Sequence, residues 1–272
     1  GMHNRLKADA FVPAGGRPNT INIHNYKQFL AEDGSPSSSL IVEGANLFIT
    51  AEARQALFED AGVVIVKDSS ANKGGVITSS YEICAAMMLT EEEFFRNKKA
   101  IVEEVLAKLR NLARMEATLL FREFENYGGS LPHVSQVISN AINTATDALS
   151  IALENLSKED IEVLLPLFRS HLPPTLADLA FDRIHDKVPE QYIKNAIASC
   201  LASKMVYKEG TKFIEAQPMD KLANVALKYI EKEREIAALK EALSDVDMPE
   251  SEKSTILELL DAGGARTALN LF

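Results

Sequence analysis

Residues 40–68, LIVEGANLFITAEARQALFEDAGVVIVKD, carry the clearest signal of fold in the chain. This stretch begins with a β-branched run over residues 40–46, which is typical of a buried strand. Residues 50–62 predict a helix, because threonine stands at the N-cap, the body is rich in alanine and glycine closes it. Residues 63–68 are a second, nearly continuous apolar strand. Strand, helix and strand in this order predict two parallel strands joined by a crossover helix.

The segments on either side extend the same alternation. Upstream, residues 9–13 (DAFVP) are a short β-prone run that ends in a glycine turn, and residues 21–30 predict a weak helix. Residues 32–39 are a loop by composition. Downstream, a helix is expected from the glycines at 74–75 through Leu89. The sequence therefore predicts an α/β region with a partial Rossmann-like parallel sheet of about three strands.

From about residue 91 onward the sequence changes to helical spacing of apolar residues. Thr90 is a predicted N-cap followed by acidic residues, and the glycines at 128–129 end the first long helix. Prolines are expected to break residues 157–184 into short helices. We therefore expect an α/β fold followed by an all-α region, divided into a domain of residues 1–90 and a helical domain of residues 91–272.

Each predicted strand is followed by a polar or glycine-rich loop. The loops are residues 14–16 (AGG), 44–46 (GAN) and 72–75 (NKGG). Ligands of open α/β sheets bind beyond the carboxyl ends of the strands. The three loops are therefore expected to converge on one edge of the sheet and to line a binding site there.

Residues 70–82, SANKGGVITSSYE, carry polar groups suited to a ligand. Gly74 and Gly75 have no Cβ, so a flat ring can approach the backbone where a helix N-terminus offers unsatisfied N–H groups. The Asn72 amide has a donor and an acceptor, which match a carboxamide such as that of nicotinamide. Ser79 lies one helical turn after Gly75, where its hydroxyl can bind a substrate carboxylate.

Asn46 lies at the end of the preceding strand, so its side chain can contact a cofactor ribose or ring in the same way. The alternative for all these positions is ordinary turn chemistry, in which asparagine and glycine shape the loops and Ser79 bonds locally. The residues by themselves favour the two interpretations equally.

Composition narrows the classes of function. The net charge of −10 argues against a nucleic-acid partner, which would require a basic stripe. No apolar run approaches the roughly 18 residues of a membrane span and the N-terminus lacks a signal-peptide pattern, so we expect a cytoplasmic protein with no membrane partner. Cys84 and Cys200 are expected to be buried, reduced thiols. No cysteine or histidine spacing predicts a metal site.

Three ordered motifs resemble the glutamate dehydrogenase family. They are FVPAGGRPNTIN (residues 11–22), IVEGANLFIT (41–50) and KDSSANKGGVITSSYE (67–82), and they most resemble the large NAD-specific type. The segment LPPTLADLAFDRIHDKVPEQYIKNAIASCLASKMVYKEG (172–210) is similar to the region after the cofactor domain in those enzymes. The resemblance spans residues 8 to about 210.

The resemblance implies NAD as cofactor and glutamate and 2-oxoglutarate as substrates of an oxidative deamination. The residues implied to contact NAD are Ala14, Gly15, Asn46, Asn72, Gly74 and Gly75, with the two asparagines on the nicotinamide side. Ser79 is implied to hold the side-chain carboxylate of glutamate. Lys73 replaces an alanine of smaller family members, and we expect it to be a solvated loop lysine without a catalytic role.

The chain departs from the family pattern in two ways. It lacks the preceding substrate domain with its lysine and aspartate, and it lacks the G-x-G-x-x-G loop of a complete cofactor domain. We therefore expect a C-terminal portion of such an enzyme that has no catalytic residue of its own and is inactive alone. Its expected partners are the remainder of the enzyme or further copies of itself, since a partial sheet exposes an edge.

Two other interpretations stay open. A naturally truncated gene product would be a non-catalytic helical interaction or regulatory module. In a third interpretation, the chain is a relative that acts on another amino acid. Ser79 disfavours this interpretation, because a pocket for a branched-chain substrate would need an apolar contact there.

Overall fold

The protein, described from a computed structural model that covers residues 2–154 and 156–270, contains one three-stranded parallel sheet in that described part. The strands are Ala10–Phe11 (β1), Leu40–Val42 (β2) and Val64–Val66 (β3), in the order β1-β2-β3. In the central strand, Ile41 lies opposite Phe11 on one side and Ile65 on the other. The sheet, followed by helices, confirms the predicted fold class.

Helix α1, Ala51–Ala61, connects β2 to β3 and has both predicted caps. The Thr50 hydroxyl accepts a hydrogen bond from the Ala53 N–H at 3.3 Å, and Gly62 closes the helix in the left-handed conformation at φ +62°. The helix packs on the sheet through one apolar cluster. Its buried members are Ile21, Tyr26, Phe29, Ile41, Phe48, Ile49, Ala53, Leu57, Val63 and Ile65.

The weak helix expected over residues 21–30 is shorter than predicted. Only Tyr26–Phe29 form a 3-10 turn, while Ile21 pairs with Ile49 in a parallel bridge. Asparagine side chains explain the difference, because the Asn25 carboxamide oxygen accepts from the Asn22 N–H at 2.8 Å and competes with helical bonding.

Two helices follow β3, namely the single turn α2, Asp68–Ala71, and the longer α3, Gly74–Met88. The next helix, α4, runs over Glu91–Tyr127 and begins with a capping box between Thr90 and Glu93. It ends at Gly128, as the sequence predicts, and α5 follows at Leu131–Glu154.

The chain divides into two compact units. The first comprises Gly1–Ser139 and Pro173–Ala180, so it joins the sheet to α4 and to helix α7, Pro174–Ala180. Thr175 at the start of α7 donates to the Glu104 carboxylate of α4 from its N–H at 2.9 Å and from its hydroxyl at 2.6 Å. The domain boundary expected near residue 90 stays a prediction.

The second unit comprises Asn140–Leu172 and Phe181–Phe272 and is helical where the structure describes it. Its further helices are α6 (Lys158–His171), α8 (Ile184–Lys187), α9 (Glu190–Glu209), α10 (Thr211–Glu215), α11 (Met219–Ser244) and α12 (Glu250–Asn270). Helix α6 packs against α9, and α11 packs along α12.

The expectation that prolines break residues 157–184 into short helices is wrong for α6. That helix continues through Pro166 to His171, and a break comes only at Pro173. Leu164, Leu165 and Phe168 around the proline are all buried. Their packing offsets the one backbone hydrogen bond that proline cannot donate.

Two composition-based expectations can be compared with the fold. Cys84 is buried, whereas Cys200 is only half-buried. Within the described residues, none of the helices combines the length and the apolar character that crossing a bilayer requires.

Candidate functional site

The three loops that follow the strands meet at one edge of the sheet. A Cβ atom on Gly44 would lie 3.2 Å from the Pro13 carbonyl oxygen, so the loop after β1 contacts the loop after β2. The Asn72 amide N–H₂ donates to the Asn46 carboxamide oxygen at 2.9 Å and joins the loop after β2 to the loop after β3. The loops therefore lie as predicted from the parallel strands.

The residues predicted to bind NAD and glutamate lie at the surface of this edge. Ala14, Gly15, Asn46, Gly74, Gly75 and Ser79 are exposed, and Asn72 is half-buried. The structure brings the two asparagine amides into direct contact. Ser79 donates its hydroxyl to the Gly75 carbonyl oxygen one turn earlier in α3, at 2.9 Å, so its described bond is the local one that the alternative interpretation expects.

The loop after β2 is supported by a buried group of charged side chains from three elements. Glu43 follows β2 and is fully buried, Arg54 projects from α1 and Asp68 begins α2. Arg54 donates its Nε–H to Glu43 Oε2 at 2.7 Å and an Nη2–H to Oε1 at 3.1 Å. Its Nη2 also lies 3.5 Å from Asp68 Oδ1. A paired guanidinium thus compensates two carboxylates in an apolar setting.

Both carboxylates also bind backbone N–H groups of the loop. Glu43 Oε1 accepts from the Ile49 N–H at 3.2 Å, and Asp68 Oδ2 accepts from the Leu47 N–H at 2.8 Å. Leu47 has φ +57°, which a leucine adopts only when its surroundings hold it there. The charged group therefore fixes the backbone directly after Asn46.

The electrostatics of the group are dominated by burial. Removal from water raises the pKa of the Glu43 carboxyl above its ordinary value, and the nearby Asp68 carboxylate adds to this rise. Hydrogen bonding and attraction to Arg54 act in the opposite direction but do not cancel the rise.

The loop after β3 is supported from α4 and α5 instead. Lys73 Nζ lies 2.8 Å from Glu116 Oε2 on α4, and the Ser70 hydroxyl donates to Glu116 Oε1 at 2.8 Å. The buried Ser135 hydroxyl of α5 lies 2.6 Å from the Ser70 hydroxyl and 3.0 Å from that of Ser69. The expectation that Lys73 is a solvated loop lysine is therefore wrong, since it forms an ion pair with a buried carboxylate.

The first N–H groups of helices α1 and α3 differ in whether a side chain caps them. Thr50 caps α1 with its side chain, whereas Lys73 at the start of α3 makes no such cap bond. Cβ atoms added at Gly74 and Gly75 would meet nothing within 4 Å. The beginning of α3 is thus an open backbone surface with a partial positive charge, next to the asparagine pair.

The loop after β1 is held by packing. Gly16 has φ +128°, and a Cβ atom there would lie 2.8 Å from Phe48 Cε2. A Cβ atom at Gly15 would have no neighbouring atom within 4 Å. Gly16 is therefore required by the fold, and Gly15 next to it presents open backbone at the site.

Sequence reasoning missed the residues that support these loops, namely Glu43, Arg54, Asp68, Glu116 and Ser135. Glu43 left a signal, because an acidic residue inside an apolar strand run needs a buried partner. The others look like ordinary polar positions of helices. Among the described residues, no group of three or more His, Cys, Asp and Glu side chains is arranged to hold a metal ion.

Comparison with known proteins agrees with the resemblance. Residues 2–126 match the family model of the Glutamate/Leucine/Phenylalanine/Valine dehydrogenases. No solved structure gives a significant match to the chain.

Three fungal proteins illustrate the similarity. The probable NAD-specific glutamate dehydrogenase of Schizosaccharomyces pombe is 34% identical over 220 residues, which are 76% of this chain and 19% of that protein. The NAD-specific glutamate dehydrogenase of Neurospora crassa is 36% identical over 220 residues, with 75% and 20% covered. That of Saccharomyces cerevisiae is 35% identical over 227 residues, with 76% and 21% covered.

The chain spans about one fifth of the length of these relatives. With its motif-bearing loops at one sheet edge and residues 2–126 matching the family model, it is a partial match to the NAD-specific glutamate dehydrogenases of the Glutamate/Leucine/Phenylalanine/Valine dehydrogenase family.

Proposed function

We propose that this chain supplies the nicotinamide-side and substrate-carboxylate contacts of an NAD-dependent glutamate dehydrogenase. The observation that carries the proposal is the hydrogen bond between Asn72 and Asn46, beside the open start of α3. The relatives named above are described as NAD-specific glutamate dehydrogenases, which supports NAD and glutamate as the ligands.

The residues fit the nicotinamide end of the cofactor. The bond between the two amides uses one donor of Asn72 and one acceptor of Asn46, and each amide has further hydrogen-bonding capacity for a carboxamide. Gly74 and Gly75 allow a planar ring to lie against the backbone, and Ala14 and Gly15 border the same edge. NAD, when bound, supplies the hydride acceptor for oxidation of glutamate to 2-oxoglutarate and ammonia.

Ser79 is assigned to the substrate carboxylate. Its hydroxyl is exposed on the second turn of α3, one turn after the glycines that begin the helix. A hydroxyl that donates to the Gly75 carbonyl can rotate to donate to a carboxylate, a stronger acceptor. The proton transfers of the reaction require groups outside the set proposed here, so we expect no NADH formation from glutamate and NAD by these 272 residues alone.

Titration of the 272-residue chain with NADH, followed by nucleotide fluorescence, tests the cofactor assignment. The chain has no tryptophan, so the nucleotide is excited directly and its own emission is the signal that is followed. Asn46→Ala and Asn72→Ala are each expected to weaken binding about tenfold, the loss of roughly one hydrogen bond.

The matched control is Asn195→Ala. Asn195 accepts from the Gln191 side chain at 3.0 Å in an exposed amide pair of α9, and its replacement should leave NADH affinity unchanged. Equal affinity of wild type and both site variants would refute the assignment.

A second titration, with glutamate in the presence of saturating NAD, tests Ser79. Ser79→Ala is expected to weaken glutamate binding by about tenfold or more, because hydrogen bonds to charged groups are strong. Ser80→Ala is the control, since that hydroxyl donates to the Ile77 carbonyl oxygen of the same helix at 2.7 Å. Equal losses in both variants would remove Ser79 from the site.

A further inference from the structure

A polar cluster from three elements supports the loop after β3. It consists of Ser69, Ser70 and Lys73 of the loop, Glu116 of α4 and Ser135 of α5, and we call it the loop clamp. We propose that Glu116 is a positioning residue for the cofactor: its carboxylate holds the segment on both sides of Asn72 and thereby sets the direction of the Asn72 amide. This inference rests on the proposed NAD site.

The geometry of one carboxylate carries the argument. Glu116 Oε1 accepts from Ser70 and Oε2 pairs with Lys73, each at 2.8 Å, so its two oxygens bind residues two before and one after Asn72. Asn72 itself has φ −121° and ψ 48°, which interrupts the helical path between α2 and α3. The direction of a residue in such a joint depends on the positions of the flanking residues, and Glu116 binds one flanking residue on each side of Asn72.

Burial makes these bonds selective for one loop position. The Glu116 side chain is only 4% exposed. A buried carboxylate without its partners is costly, so loop positions that separate Lys73 or Ser70 from Glu116 are disfavoured. Ser135, with 0% exposure, extends the same constraint to Ser69 and Ser70.

The Asn72 amide donates to Asn46, so its direction determines whether the asparagine pair exists. A ligand that needs the pair binds only the fraction of molecules in which the pair is formed, and its apparent affinity falls in proportion. Loosening the clamp should therefore weaken NAD binding although Glu116 itself lies behind the loop on α4.

The test compares Glu116→Gln with Glu233→Gln in the 272-residue chain. Glu233 is the matched control, because it is also a buried glutamate paired with lysines, Lys204 and Lys208 of α9. Both substitutions should lower the melting temperature. Only Glu116→Gln should weaken NADH binding, by about 2- to 30-fold, the range for residues that act on a ligand through others.

A second readout does not require the cofactor. The Asn72 backbone N–H donates to the Asp68 carbonyl oxygen at 2.8 Å, and its hydrogen exchange measured by NMR reports opening of the loop. We expect faster exchange in Glu116→Gln and unchanged exchange in Glu233→Gln. Unchanged exchange in Glu116→Gln would overturn the inference. If exchange is faster in Glu116→Gln but the wild-type chain does not bind NADH, the clamp is supported and the proposed cofactor site is refuted.

Lys73→Met distinguishes the clamp from direct contact between Lys73 and the nucleotide. If Lys73 acts through Glu116, the double variant that combines Lys73→Met with Glu116→Gln should bind NADH as tightly as the single variant with the lower NADH affinity. If the two losses multiply, Lys73 acts independently of Glu116 and the assignment of the ion pair to loop positioning is wrong.

Discussion

The two loops joined by the asparagine pair are held in opposite ways. The loop carrying Asn46 rests on Glu43, Arg54 and Asp68, which all come from the strands and helices directly around it. The loop carrying Asn72 rests on Glu116 and Ser135, which lie 46 and 65 residues away from Ser70. One half of the candidate site is therefore a local product of the βαβ unit, while the other half depends on helices beyond it.

Because the two loops are supported by different elements, substitutions in different parts of the chain should affect them separately. A change within residues 43–68 should affect the fold of the sheet and the site together, because the same charged side chains stabilise both. A change in α4 or α5 can affect the Asn72 loop while the sheet stays intact. The sheet, helix α4 and the beginning of α5 belong to one compact unit, which is consistent with this dependence.

The largest expected effect comes from breaking the local half. Arg54→Met leaves the fully buried Glu43 without its guanidinium and should cost about 3–5 kcal/mol, measured by urea unfolding. Arg54→Lys keeps the charge but loses the two-pronged geometry, so an intermediate loss is expected.

The control for this prediction is Arg96→Met in the exposed pair of Arg96 with Glu92, where the change should stay within about 0.5 kcal/mol. Equal losses at Arg54 and Arg96 would mean that the buried group does not support the loop.

A smaller effect is expected from the third loop, which is held by packing. Gly16→Ala places a Cβ atom against Phe48 at a positive φ and should destabilise the protein by about 1–3 kcal/mol. Gly15→Ala adds a methyl group in open space and should change the free energy of unfolding by less than about 0.5 kcal/mol.

Gly15→Ala also tests cofactor binding, since Gly15 is assigned to the cofactor. NADH affinity should fall in Gly15→Ala even though its stability is retained. A stable variant with unaltered affinity would remove Gly15 from the site but keep Gly16 as a packing residue.

The same comparison explains how much could be predicted from the sequence. The caps at Thr50 and Gly62, the β-branched strands and the meeting of the three loops were predictable because they follow from local propensity and from the parallel order of strands. The pairing of Lys73 with Glu116 was not, because it joins positions 43 residues apart by number and depends on how α4 packs. Helix α6 also continues through Pro166 for a tertiary reason.

The smallest expected effect is a pH dependence of the local half. Burial raises the pKa of the Glu43 carboxyl above the 4.5 of an unperturbed glutamate, and Arg54 only partly opposes this. As pH rises from 4.5 through the raised pKa, the unfolded chain loses this proton first, so the contribution of Glu43 to the free energy of unfolding decreases. Glu43→Gln lacks this decrease. Urea unfolding of both proteins from about pH 4 to about pH 8 should therefore show the stability of Glu43→Gln rising relative to wild type. A relative fall would mean that Arg54 outweighs burial and holds the Glu43 pKa below its usual value.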